Sequence, residues 1–233
     1  MSALPLAVAL QFAVSCAPQV APETWLSVVH TESRFDALAI GDNTTGRSYR
    51  PASLAEAAAL ASALVAAGHS LDLGAAQINT AAGHLQRRGL PLAAAFDPCT
   101  GFRVGGAVLV GCYRRTAPGA AEQARLRAAI GCYNTGALER GGAYVLRVQA
   151  AAARIVPAIR LAENADPDVA APTPPAPSAS ATGRKQDPDG GEGEMQDSLA
   201  GLHEALRHAS PRTPNASPAP GTSPSDSDQK GTP

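Results

Sequence analysis

Residues 22–36 read Pro22-Glu23-Thr24-Trp25-Leu26-Ser27-Val28-Val29-His30-Thr31-Glu32-Ser33-Arg34-Phe35-Asp36. Pro22 suits the first turn of a helix, where its missing N–H costs nothing. Trp25, Val28, Val29 and Glu32 follow at i, i+3, i+4 and i+7, so they share one helix face. A carboxylate on that apolar stripe is costly to bury in its charged form. It also falls in the last turn, at the negative end of the helix dipole. Both effects favour the protonated acid and raise its pKa. A Glu that keeps its proton near neutrality suits the protonation of a leaving oxygen. On this helix alone a second reading stands beside it, an ion pair with Arg34 at the helix rim.

Outward from this helix the chain reads as further helices with punctuation. Leu4–Val14 is apolar and ends at Ser15-Cys16. It has the length of a signal-peptide core, but no Lys or Arg precedes Arg34, so the positive flank is absent. The expectation is a first core helix ending near Cys16, broken by Pro18 and Pro22. That reading leaves no recognisable export signal. Ser53-Leu54-Ala55-Glu56 has capping-box form and opens a helix that stops at Gly68. Asp72 is expected to cap a short helix through Gln77 and Asn79. Helices are expected over 102–115, closed by Pro118, over 119–133, stopped by Gly136, and over 143–162, kinked at Pro157. Residues 36–51, with Gly41, Asp42, Asn43, Gly46 and Pro51, form a loop or small irregular β-hairpin. No βαβ alternation appears, which argues against a parallel sheet.

Composition divides the 233 residues at about residue 162. All nine aromatic residues precede that point, and twelve of the twenty prolines follow it. A Pro/Ser/Gly/Asp-rich segment without aromatics buries too little apolar surface to offset its ordering entropy. Residues 1–162 therefore make one domain, and 163–233 a disordered tail. The domain carries +5 and the tail −6. A modestly basic domain suits an anionic partner, but no aromatic-basic interleaving points to nucleic acid. No apolar run is long enough to span a membrane. In the tail, Leu199, Leu202 and Leu206 repeat at helical spacing, as in a short partner-binding helix or a stray propensity within a linker.

The four cysteines are Cys16, Cys99, Cys112 and Cys132. None forms a C-x-x-C pair, so no metal site is expected. Their even number favours an oxidising compartment over buried free thiols. If the helices bearing Cys112 and Cys132 run antiparallel, those two residues lie roughly 20 Å apart at 1.5 Å per residue, too far to bridge. The expected pairs are then Cys99–Cys132 and Cys16–Cys112.

Four further stretches complete a pattern. Asp72-Leu-Gly74-Ala-Ala-Gln77-Ile78-Asn79 follows Glu32-Ser33, then Phe96-Asp97-Pro98-Cys99, then Cys132-Tyr133-Asn134-Thr135-Gly136, and Tyr144-Val145 comes last. In this order, over roughly residues 14–150, they resemble the lytic transglycosylases with a lysozyme-like (SLT) domain. The branch attached to type IV secretion and conjugation systems is the most similar. The resemblance implies a mainly α, lysozyme-like domain of the goose-type or SLT kind with a small β-hairpin segment. It implies Glu32 as the catalytic acid, Ser33 as a hydroxyl that positions it or the substrate acetamido group, and Gly74, Gln77 and Asn79 along the cleft. Tyr133, Asn134 and Gly136 would form the wall facing the acid, and Tyr144 the aromatic closing the same subsite. Gly101-Phe102 stands where the family usually has Asn-Leu, which puts the local helix cap in question.

Counting carboxylates frames the mechanism. An ordinary glycosidase uses two flanking the bond. Asp36 lies on the exit turn, Asp72 reads as a cap, and Asp42 is the serious contender for a second. Without a second, Glu32 serves twice: it protonates the glycosidic oxygen, then takes the proton of the sugar's 6-hydroxyl, giving a 1,6-anhydro end without water. The expected activity is cleavage of the β-1,4 bond between N-acetylmuramic acid and N-acetylglucosamine in peptidoglycan glycan strands. It would open the wall for secretion machinery in the periplasm or cell envelope, with the tail as a handle for its components. No cofactor is implied. The alternatives are a goose-type-lysozyme-like hydrolytic muramidase and a non-catalytic glycan-binding assembly scaffold.

Overall fold

The computed structural model describes residues 3–164. They form six helices and a four-stranded antiparallel sheet: α1 Leu6–Cys16, α2 Pro22–Ser33, β1 Ile40–Asp42, β2 Arg47–Tyr49, α3 Leu54–Ala66, β3 Leu71–Leu73, β4 Ile78–Asn79, α4 Pro98–Arg114, α5 Glu122–Thr135 and α6 Gly142–Asn164. Short 3-10 turns at Gln86–Arg88 and Leu92–Phe96 bridge β4 to α4. The mainly α expectation holds. The disordered-tail reading and the Leu199, Leu202 and Leu206 stripe lie outside the described residues. No helix among the described residues is long and apolar enough to cross a membrane.

The central helix is α2. Trp25, Leu26, Val28 and Val29 are each fully buried, so α2 is covered on more than the one face that a surface helix hides. It packs against α1 and α6. Trp25 meets Phe102 of α4 edge-on, ring centroids 6.0 Å apart, and Tyr133 of α5 at 5.8 Å. Gly105 makes that possible, because a Cβ there would stand 2.6 Å from Trp25 Cη2. The helix ends abruptly: Arg34 (φ 58°) and Phe35 (φ 66°) are both left-handed. Consecutive non-glycine residues in that region are uncommon, and here they turn the chain from α2 into the sheet.

The sheet order is β2-β1-β3-β4. The hairpin β1–β2 falls within the loop or hairpin expected for 36–51, with Ile40 opposite Tyr49 and Asp42 opposite Arg47. Asp42 organises its turn. It is buried and accepts from Thr44 N, Thr45 N, Thr45 Oγ1 and His69 Nδ1. These bonds, led by the Thr45 hydroxyl, hold its pKa down at about 2. Asp42 is therefore structural, and the expectation that it offers the second carboxylate is corrected. The capping box is half as expected: Ser53 Oγ accepts from Glu56 N, but Glu56 Oε2 accepts from Ala52 N.

The short helix expected from Asp72 through Gln77 and Asn79 is absent. Those residues form β3, a turn and β4, with Asp72 opposite Asn79 and Leu73 opposite Ile78. Gly74 (φ 73°) and Gln77 (φ 49°) break any helix between them. Farther on, α4 starts earlier than expected, because Asp97 caps it by accepting from Thr100 N at 2.8 Å. The Gly101-Phe102 departure thus leaves the cap intact.

The cysteine pairing is also corrected. The disulfides are Cys16–Cys99, Cα atoms 5.3 Å apart, and Cys112–Cys132, 5.8 Å apart. The antiparallel premise fails at the connector 115–121. It carries the chain away from α4 so that α5 returns with its C-terminal turn at the end of α4. Arg115, which caps α4, donates to the carbonyl of Gly136, which caps α5. Cys99 opens α4 beside the end of α1.

Candidate active site

A cleft of about 690 Å³ opens between the sheet and the C-terminal halves of α4 and α5. Glu32 reaches it from the last turn of α2. Gln77, Asn79, Tyr133, Asn134 and Gly136 line it as well. So do Asn43, Asp72, His84, Arg87, Arg88 and Arg115.

Glu32 Oε1 accepts a hydrogen bond from Tyr144 OH at 2.5 Å. Burial pushes its pKa up to about 7. The tyrosine hydroxyl opposes that rise by favouring the ionised form, and nearby Asp72 reinforces it. Arg147 is the smallest influence and pulls the value down. The alternative partner, Arg34, makes no ion pair with Glu32. Tyr133 and Tyr144 are themselves raised above the usual phenol range, by burial first and Glu32 second, so both are neutral donors.

The other expected residues divide by what they touch. Tyr144 is buried, on the first turn of α6; its hydroxyl is bonded to the acid, and it is not among the residues that line the cleft. Ser33 is buried and donates to Ala75 O at 2.7 Å, so it ties the end of α2 to the β3–β4 turn and does not open on the cleft. A Cβ on Gly74 would stand 2.0 Å from Ala95 O. A backbone approach thus requires glycine at this position. Gln77 spends its amide hydrogens on Gly74 O (2.8 Å) and Ala39 O (3.3 Å). Tyr133 OH donates to Ala76 O at 2.6 Å. Asn134 is exposed on the cleft wall. Gly136 is the left-handed cap of α5.

Sequence reasoning missed Asp72. On β3 it faces the cleft, with Oδ1 accepting from Asn79 Nδ2 at 2.8 Å and Oδ2 from Asn43 Nδ2 at 2.9 Å. The two amides hold a carboxylate in place near Glu32 without neutralising it. The signal was available in the alternation Leu71-Asp72-Leu73, whose leucines are both buried. Asp36, by contrast, sits on the exit turn as expected, accepting from Leu38 N and Arg50 Nη1. No group of three or more His, Cys, Asp or Glu side chains among the described residues converges as a metal set would.

An acid at the end of a buried central helix, facing a small antiparallel sheet across an open groove, defines a lysozyme-like domain. Residues 10–147 match the family model "Transglycosylase SLT domain", and the chain belongs to that family. It is 40% identical over 148 residues to Protein virB1 of Agrobacterium fabrum, covering 63% of this chain and 60% of that relative. It is 41% identical over 180 residues to Type IV secretion system protein virB1 of Brucella suis biovar 1, covering 70% of this chain and 74% of that one. No solved structure matches.

Proposed function

We propose that the chain is a lytic transglycosylase that cleaves the MurNAc–GlcNAc β-1,4 bond of peptidoglycan with Glu32 as its single acid and base. The observation that carries this is the Glu32 carboxyl, buried yet opening on the cleft, with burial raising its pKa to about 7. Tyr144 occupies Oε1 and leaves Oε2 to hold the proton. That proton passes to the glycosidic oxygen as the C1–O bond breaks. The substrate's 2-acetamido oxygen bonds C1 and spreads its positive charge, the substrate-assisted route. The Glu32 carboxylate then takes the proton of the 6-hydroxyl. That oxygen attacks C1 and displaces the acetamido oxygen, giving a 1,6-anhydro end and restoring the acid. Asp72 supports the developing positive charge from the sheet side.

Asp72 also favours a second reading, in which water replaces the 6-hydroxyl and the product is a reducing end. Incubation with purified peptidoglycan decides between them by product mass. Anhydro ends support the lytic route, and reducing ends the hydrolytic one. Glu32→Gln abolishes cleavage under either, and an unchanged rate in that variant refutes both; a wild type that binds glycan without cleaving it favours the glycan-binding scaffold.

The relatives named as virB1, one of them as a type IV secretion system protein, support a role in opening the wall for such an apparatus, in the periplasm or envelope. Two disulfides suit that oxidising compartment. In this reading the tail, 163–233, is the handle for partner components.

A further inference from the structure

The cleft carries a second chemistry that proton transfer does not use. Three guanidinium groups line it, Arg87, Arg88 and Arg115. Neither the Arg50–Asp36 nor the His69–Asp42 ion pair involves them, so none of the three is matched to a carboxylate among the described residues. Arg87 and Arg88 belong to the 3-10 turn after β4, and Arg115 caps α4. Their contacts are to neutral groups. Arg87 Nη2 lies 3.1 Å from His84 Nδ1, Arg88 Nη1 donates to His84 O at 2.8 Å, and Arg115 Nη2 donates to Gly136 O at 3.2 Å. His84 is held below its ordinary pKa by burial first and by Arg87 and Arg88 next, so it orients these side chains without cancelling their charge. Gly83 leaves room for Arg87, whose Nη1 would lie 3.0 Å from a Cβ there. Each guanidinium has five N–H donors, so most remain for a ligand.

We propose that Arg87, Arg88 and Arg115 form a carboxylate-recognition wall that selects glycan strands bearing acidic groups on the muramoyl residue, with the peptide stem as the ligand. The planar fork of arginine matches a carboxylate in two parallel hydrogen bonds. This rests on the proposed glycan-cleaving reading, because the wall shares its cleft with Glu32. It also gives the net positive charge of the domain a place to act. A carboxylate in this cleft has two sources, the stem peptide and the lactyl group left when the stem is removed.

The test compares three substrates: stem-bearing strands, strands stripped by an amidase so that only the lactyl carboxylate remains, and stem-bearing strands whose carboxyls are capped as methylamides. Wild type is expected to favour uncapped over capped strands by about tenfold in kcat/KM, through KM, and less so as salt rises. In Arg87→Gln/Arg88→Gln that ratio should fall toward one. The double lysine variant should recover part of it, and Arg160→Gln, on the exposed face of α6, should keep it. Stripped strands cleaved like capped ones assign the stem; stripped strands cleaved like stem-bearing ones overturn the stem in favour of the lactyl group. A wild type indifferent to capping, or a double variant that keeps the preference, overturns the wall. If wild type cleaves nothing, the catalytic reading fails by itself. Sedimentation of Glu32→Gln with capped and uncapped sacculi then decides the wall: preferential binding to uncapped sacculi upholds it, and equal binding overturns it.

Discussion

Glu32 is held between opposing influences, and each can be removed singly. The Tyr144 hydroxyl lowers its pKa and Asp72 raises it, against a larger rise from burial. The acid must be protonated for bond cleavage, so activity falls as pH rises through that pKa. Tyr144→Phe removes a bond that favours the carboxylate, and the falling limb of the kcat/KM profile should move to higher pH. Asp72→Asn removes a like charge, and the limb should move to lower pH. Profiles that shift together, or not at all, would separate the acid from these neighbours. Glu32→Gln should lower kcat by at least about 100-fold, the floor for losing a general acid. The same variant should be more stable above neutrality. In the folded state the carboxyl holds its proton to about pH 7, whereas unfolded it ionises near 4.5. Stability is therefore lost as pH climbs between those values, by an upper estimate of about 3 kcal/mol. Urea melts of the two proteins should agree near pH 4 and separate by pH 8, with the Gln variant the firmer. The acid was legible in the sequence because helical spacing placed it beside Trp25, Val28 and Val29. Its sheet partner was not, because an Asp ahead of Leu-Gly-Ala-Ala-Gln reads equally well as a cap. Only the left-handed backbone at Gly74 and Gln77 excludes that.

The elements around the acid are joined through backbone carbonyls of the β3–β4 turn. Ser33 reaches Ala75 O, Tyr133 reaches Ala76 O and Gln77 reaches Gly74 O, so α2, α5 and the sheet share one short segment. Ala75 and Ala76 are buried there, where an abandoned carbonyl keeps its full desolvation cost. Ser33→Ala should lower stability by about 1–3 kcal/mol. It should also lower kcat without changing the pH profile, because the groups that set the Glu32 pKa remain. Gly74→Ala should be more damaging. Its Cβ would collide with a backbone oxygen at 2.0 Å, and no side chain can yield there. Thermal melts of both variants give the ranking, and a harmless Gly74→Ala would show that the turn is not rigid. Helix limits were readable from caps and stops such as Pro22, Ser53 and Gly136. Strands β3 and β4 are three and two residues long, so the brief Leu71-Asp72-Leu73 alternation did not outweigh the cap reading.

At the scale of the whole molecule the two disulfides act on different properties. Cys16–Cys99 spans 83 residues and ties α1 to the start of α4. Cys112–Cys132 spans 20 and binds the ends of α4 and α5. This pairing was hidden from the sequence because it depends on the path of 115–121, which no residue pattern specifies. By loop-closure entropy the long bridge stabilises the fold by about 4–5 kcal/mol and the short one by about 3 kcal/mol. Only the short one borders the cleft, where both its cysteines stand among the lining residues with Arg115 and Asn134. Arg115 Nη1 also donates to Cys132 Sγ at 3.5 Å. Replacing Cys16 and Cys99 by alanine should therefore give the larger fall in urea midpoint while the remaining folded protein keeps its KM. Replacing Cys112 and Cys132 should cost less stability and raise KM, because the wall carrying Tyr133 and Asn134 loses its anchor to α4. Parallel denaturation and steady-state measurements on the two double variants check the crossing. If both effects follow loop length alone, the short bridge plays no part in shaping the cleft.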